Sequence, residues 1–205
     1  MLQEEPADIS ALSSGIRAER RKLKRGYFIF NMNYGEIKKT DIANGEGVRV
    51  SLFVSGCTHH CKGCFNEMTW DFNYGKPYTQ ETIDYLLKLL EPHYIKGITF
   101  LGGEPMDPRN QGEVLNTVRQ IKERCPSKDI WLFTGYLLDR DIMGQMADTL
   151  PHTRELVSML DVIVDGPFIL EKKNLNLRFR GSENQRIIDV QQTLSSDSIV
   201  LWDEG

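Results

Sequence analysis

The run Val48-Arg49-Val50-Ser51-Leu52-Phe53-Val54-Ser55-Gly56-Cys57-Thr58-His59-His60-Cys61-Lys62-Gly63-Cys64 passes from an apolar segment straight into a cysteine cluster. Val48–Val54 is rich in β-branched and apolar side chains and is bracketed by Gly45, Gly47 and Gly56, which predicts a strand. The loop beyond it spaces Cys57, Cys61 and Cys64 as C-x3-C-x2-C. Thiolates this close can converge on one metal centre. Three of them leave a 4Fe–4S cube one ligand short, because a cluster held by protein alone takes four cysteines. The iron without a thiolate is then open to bind and activate a second molecule, the logic that separates open zinc sites from closed ones. A Cys3His zinc site using His59 or His60 is the second reading, and unliganded thiols the third. The chain has no further C-x2-C or His pair to complete a zinc module, which favours iron–sulfur. The two histidines read as ordinary polar loop residues.

Downstream, strand-like and helix-like segments alternate. Thr79 is a plausible N-cap, and Ile83, Leu86, Leu87 and Leu90 recur at the spacing of one helix face. Gly97–Leu101 reads as a strand ending in Gly102-Gly103, and Val114, Leu115, Val118 and Ile121 form another helical stripe. Ile130–Phe133 and Leu160–Val164 are further strands, ending at Thr134-Gly135 and Asp165-Gly166. The segment Leu138–Leu150 is helix-like but irregular, and Arg186–Val190 fits one more strand. Such alternation implies βαβ units and a parallel sheet with outer helices. With too few units to close an eight-stranded barrel, the expected fold is α/β, an incomplete βα barrel. The cysteine loop, Gly102–Pro105, Thr134-Gly135 and Asp165-Gly166 all follow strand ends, the edge where α/β folds place their active sites.

A chain of 205 residues suits a single domain with a sizeable core. Its net charge of −4 gives no general pull toward nucleic acid or anionic membrane. No apolar run approaches the roughly 20 residues a bilayer span needs, and the N-terminus lacks a signal-peptide core. A cytoplasmic, reducing location is expected, where clustered cysteines hold metal or do chemistry rather than form disulfides. The fourth cysteine, Cys125, ends a helical pattern and reads as a small half-buried residue. Residues 1–31, with a basic cluster from Arg17 to Arg25, read as an N-terminal extension, poorly ordered, before a single domain over 32–205. Met32 would serve as a natural start.

Gly102-Gly103-Glu104-Pro105 adds a second constellation. Glycines let backbone approach a ligand, Glu104 can accept hydrogen bonds from an ammonium group, and Pro105 stiffens the turn. The cysteine triplet followed by Gly-Gly-Glu-Pro resembles the radical S-adenosylmethionine superfamily. That resemblance implies an open iron that chelates S-adenosylmethionine and a glycine-rich loop that meets its methionine amino group. It implies homolytic cleavage to methionine and a 5′-deoxyadenosyl radical.

Further motifs narrow the resemblance. Asp41–Arg49, Phe65-Asn66, Thr69-Trp70, Asp129–Tyr136, Val164–Phe168 and Arg180–Gln185 stand in the order of the branch that activates anaerobic ribonucleoside-triphosphate reductase. The similarity runs from about Met32 to Val190. It implies Cys57, Cys61 and Cys64 as cluster ligands and catalytic core, with Gly63, Phe65, Gly102, Gly103 and Glu104 holding S-adenosylmethionine. It implies a glycyl radical made on the large subunit of the reductase, and an external one-electron donor of flavodoxin or ferredoxin type. Other glycyl-radical activases, such as those of pyruvate formate-lyase, often carry an aromatic where Gly63 stands. The rival from a different class is a non-catalytic zinc-binding module. Thr134 could meet a ribose or only end its strand, and Asp165 could be a site residue or, the favoured reading, simple turn chemistry.

Overall fold

The computed structural model describes residues 32–196 and 198–203, so the expected extension over 1–31 lies outside the described residues. Val48–Val54 forms strand β2 of a seven-stranded sheet, preceded by β1 (Asn33–Asp41) and followed by the two-residue β3 (Lys76–Pro77). Helix α1 (Gln80–Leu90) starts at Thr79, whose backbone N–H donates to the Thr82 hydroxyl at 3.3 Å. Its stripe of Ile83, Leu86, Leu87 and Leu90 is buried, as the spacing requires. Then come β4 (Ile95–Gly102), α2 (Gln111–Arg124), β5 (Asp129–Phe133) and a π-helical segment, Leu138–Met146. Helix α3 (Thr153–Ser158), β6 (Val162–Asp165), β7 (Arg186–Asp189) and α4 (Val190–Ser195) complete the order.

The sheet runs β3-β1-β2-β4-β5-β6-β7. The pairings β2/β4, β4/β5 and β5/β6 are parallel, and those four strands are among the five the sequence predicts; the fifth, Arg186–Val190, forms as β7. The sheet is nevertheless mixed, because β1, β3 and β7 pair antiparallel at its two margins. The reason lies in the connections. Between β1 and β2 there are only residues 42–47, too few for the crossover that a parallel pair needs. Between β6 and β7 the chain runs from 166 to 185 with one short 3-10 turn, Leu170–Lys172, and no crossover helix.

The strands alternate sides with period two. Val50, Leu52, Val54, Ile98, Phe100, Ile130, Leu132 and Ile163 join the main core with the buried stripes of α1 and α2. Each such side chain contributes roughly 1.5–3 kcal/mol by leaving water. Trp131, Val162, Val164 and Ile187 form a second, smaller cluster with Phe133, Phe179 and Trp202 packed on it. Arg49, Ser51 and Thr99 are buried on that same side of the strands. Among the described residues no helix is long and apolar enough to cross a membrane.

Candidate functional site

Beyond Val54 the chain leaves β2 and is gripped at once by the loop after β4. Gly103 N–H donates to Val54 O at 2.7 Å and Glu104 N–H to Gly56 O at 2.8 Å. The two backbones are so close that a Cβ on Gly103 would stand 2.6 Å from Gly56 O. No side chain fits there, which is what the Gly-Gly pair accomplishes. Asn110, at the start of α2, clamps the same junction by donating from Nδ2 to Ser55 O at 3.0 Å and to Glu104 O at 2.9 Å.

Past this junction Cys57, Cys61 and Cys64 enter the wall of one open cavity of about 490 Å³ at the C-terminal ends of the parallel strands. All four cysteines of the chain are free thiols. Cys64 Sγ accepts the Asn66 backbone N–H at 3.3 Å. Burial pushes the Cys57 thiol up to about 11, with Glu104 adding to the rise and the backbone N–H groups of His59 and His60 opposing it. Burial also raises the Cys61 thiol, against the Phe168 backbone N–H. A cationic iron centre would reverse those shifts, since metal-bound thiols are deprotonated. Among the described residues no three His, Cys, Asp or Glu side chains close on one point as a single ion requires. Thiolates on a cube bind different irons, so cluster ligands need not meet at one point. The donor set therefore fits a cluster with an open iron: three partly buried thiols, with no fourth cysteine in the cavity wall.

The cavity also gathers Gly102, Gly103, Glu104 and Phe65. Gly63 is not in its lining; it is exposed, at φ +72°, and a Cβ there would lie 3.0 Å from Leu170 Cδ1. Phe65 is 60% exposed and leans on Phe168 with ring centroids 5.2 Å apart. Glu104 is 1% exposed. Its Oε1 accepts the Met106 N–H at 2.8 Å, and its Oε2 accepts the Gly135 N–H at 2.8 Å and meets His59 Nε2 at 3.0 Å. An ionised carboxylate has about four acceptor positions, so protein donors leave about one for a ligand.

Several assignments change. His59 is not a free loop residue: it pairs with Glu104, which raises its pKa, and packs edge-on against Tyr136 at 4.4 Å. His60 stacks on Trp70 at 4.7 Å. Thr134 lines the cavity and also ends its strand, its hydroxyl accepting the Tyr136 N–H at 3.1 Å. Asp165 does more than turn chemistry. Fully buried, it accepts the Leu138 N–H at 2.8 Å and bonds Arg186 Nε at 2.9 Å, tying β6, β7 and the π-helical segment together. The 180–185 loop forms part of the cavity wall through Arg180, Gly181 and Gln185. Sequence reasoning missed Asn110 and gave Phe168, quoted only as the end of a motif, no site role, because their partners come from other loops.

Comparison with known proteins shows the family. Residues 43–188 match the family described as 4Fe-4S single cluster domain. A Vibrio cholerae protein is 45% identical over 158 residues, covering 76% of this chain and 97% of that protein. An Escherichia coli protein is 42% identical over 156 residues, covering 75% and 96%. One from Enterobacteria phage T4 is 42% identical over 158 residues, covering 76% and 93%. All three carry the name anaerobic ribonucleoside-triphosphate reductase-activating protein. With nearly the whole of each relative covered at this identity, the chain belongs to the family of anaerobic ribonucleoside-triphosphate reductase-activating proteins.

Proposed function

We propose that this chain activates an anaerobic ribonucleoside-triphosphate reductase by generating a glycyl radical on its large subunit. The observation that carries the reading is that Cys57, Cys61, Cys64, Gly102, Gly103 and Glu104 share one cavity at the strand ends. Cys57, Cys61 and Cys64 would hold a 4Fe–4S cluster, and Glu104 would receive the ammonium of S-adenosylmethionine through its remaining acceptor position. Gly102 and Gly103 present bare backbone there, while Phe65 and Phe168 offer aromatic faces for the adenine; Gly63 keeps the turn beside Leu170 narrow. Held there by Cys57, Cys61 and Cys64, a 4Fe–4S cluster would supply one-electron reductive cleavage of S-adenosylmethionine, drawing on an external flavodoxin-like or ferredoxin-like donor, and with it the hydrogen-atom abstraction that a glycyl radical on the partner requires.

The chain's own part is to bind, orient and shield. Leu101, Phe133, Phe168 and Phe179 give the cavity an apolar wall, which limits water beside a reactive carbon. The mouth is open, so a loop of a large protein substrate can enter. An open sheet with its site at the C-terminal strand ends fits the incomplete barrel of the radical S-adenosylmethionine enzymes. A cytoplasmic location fits oxygen-sensitive chemistry.

The test is anaerobic. Reconstituted protein, reductant, S-adenosylmethionine and the reductase of the same cell should give an electron paramagnetic resonance doublet that vanishes when the target glycine becomes alanine. Cofactor cleavage without a radical on the reductase would overturn the partner assignment.

A further inference from the structure

We propose that His59 is a positioning residue: its imidazole fixes the Glu104 carboxylate in the orientation that presents the remaining acceptor to the ammonium of S-adenosylmethionine. The inference rests on the reading above, in which Glu104 receives that ammonium.

The geometry begins with an otherwise soft torsion. The last torsion of a glutamate is broad, so a carboxylate points where its partners hold it. Among the described residues the Glu104 carboxylate has three protein partners: two are backbone N–H groups, of Met106 and Gly135, and one is a side chain, His59. An ionised carboxylate only accepts, so His59 Nε2 must carry the proton and donate. His59 and Gly135 bind the same oxygen, Oε2, and so fix the carboxylate plane while Oε1 carries one bond only, from Met106.

The imidazole is itself held. A Cβ on Gly135 would lie 2.6 Å from His59 Cδ2 and 2.7 Å from Nε2, so the ring sits flush on that glycine. The Tyr136 ring closes another side. This gives the Thr134-Gly135 motif a role: position 135 is the seat of the ring, and only a residue without Cβ provides it. One imidazole thus joins the loops after β2, β4 and β5. Because His59 lies between Cys57 and Cys61, the loop that carries the thiols and the carboxylate that meets the cofactor are mechanically one unit.

The experiment uses anaerobically reconstituted full chain, with affinity measured by calorimetry per iron-loaded chain. His59→Ala should retain its iron and bind S-adenosylmethionine about tenfold more weakly, the size of one lost charge-assisted hydrogen bond. The KM for the cofactor should rise in step while kcat for its cleavage changes much less. The change that S-adenosylmethionine induces in the electron paramagnetic resonance signal of the reduced cluster should need correspondingly higher cofactor. His59→Gln, whose amide can donate from a similar place, should recover most of the affinity. Gly135→Ala should weaken binding in the same direction, and the double variant should be no worse than the weaker single, because both act through one ring. Affinity within about twofold of wild type in iron-loaded His59→Ala, or losses in the two singles that multiply in the double, would overturn the proposal. So would a loss that follows iron content alone. Glu104→Gln separates the two readings. If it weakens binding and His59→Ala does not, only the positioning role falls; if it binds normally, the assignment of Glu104 falls and takes this inference with it.

Discussion

Two charged side chains are buried at opposite ends of the sheet, and they are built differently. Arg49 lies near the start of β2, where the parallel strands begin; Glu104 lies just past β4, where they finish. Arg49 donates from Nε to Thr99 Oγ1 at 2.9 Å, from Nη1 to Glu46 O at 3.0 Å and from Nη2 to Ile98 O at 2.9 Å. Its Nη2 also stands 2.5 Å from Asp129 Oδ1, and the Trp131 ring lies over the guanidinium at 5.1 Å. Arg49 is fully buried and does not line the cavity. Burial pushes the Arg49 pKa down and the Asp129 pKa up, so pairing does not fully offset the loss of water on either side. Glu104 is as deeply buried but faces a cavity with an acceptor position left over. A buried charge that lines no cavity closes a structure; one with spare capacity toward a cavity is poised for a ligand.

The rim end should break most completely when its thiols are removed. Cys57→Ala, Cys61→Ala or Cys64→Ala should each abolish the stable 4Fe–4S signal after reconstitution, measured as iron per chain and visible absorbance. Cys125→Ala should leave that signal intact, because Cys125 caps α2 and is absent from the cavity wall. A triplet variant that keeps its cluster while the Cys125 variant loses it would reverse the ligand assignment.

The closed end should respond in stability rather than chemistry. Arg49→Met leaves the half-buried Asp129 carboxylate, 23% exposed, without its cation; breaking a fully buried pair costs about 3–5 kcal/mol, so the loss here should fall at or below the lower end of that range. The denaturation midpoint should fall accordingly. Arg49→Met with Asp129→Leu should recover a good part of that loss, since replacing both partners removes the unpaired charge. If the double variant is as unstable as the single, the neighbours of Arg49 matter more than its charge, and the contrast with Glu104 fails.

Much of this contrast was invisible in sequence, for identifiable reasons. The segment Val48–Val54 reads as apolar, and its apolar face did form the core; the fully buried Arg49 inside it looks like an exposed residue on a half-buried strand. The four parallel strands, both long helices and the loops at the strand ends were legible, because their signals are local: period, caps and glycines. Strand β1 was not, since as a strand near the margin it carries Glu36, Lys38 and Lys39 and buries little. Helix α3 has six residues, too few to show a period. The partnership of His59 with Glu104 spans 45 residues of chain, and no spacing rule connects them.

Gly103 sharpens the comparison from the rim side. Sequence alone suggests that Gly103→Val would keep the cluster and lose only cofactor binding. The 2.6 Å approach to Gly56 O predicts a broader effect, because the displaced backbone leads directly into Cys57. Iron content and S-adenosylmethionine affinity should fall together. Full iron loading with weakened binding would mean that the β4 loop moves alone and that the cysteine loop is held from elsewhere, by Asn110 and by the Gly56 N–H bond to Thr69 O at 2.7 Å.

The smallest effect is expected from a chain that starts at Met32. Both ends of the sheet draw all their described parts from residues beyond 32: Arg49 and Asp129 at one, the cysteines, Glu104 and Gly135 at the other. Met32 itself is 2% exposed, and its carbonyl accepts the Tyr78 N–H at 2.8 Å, so truncation there spares the anchored residue. The melting midpoint should shift by no more than about 2 °C, the scale of a change near 0.5 kcal/mol in a chain of this length. Iron content and cofactor affinity should match those of the full chain. Lower stability with an intact cluster would make residues 1–31 a support for the fold. A lost cluster or weakened S-adenosylmethionine binding would mean instead that the rim is incomplete without them, and that the spare capacity at Glu104 is not where the open end of this site stops.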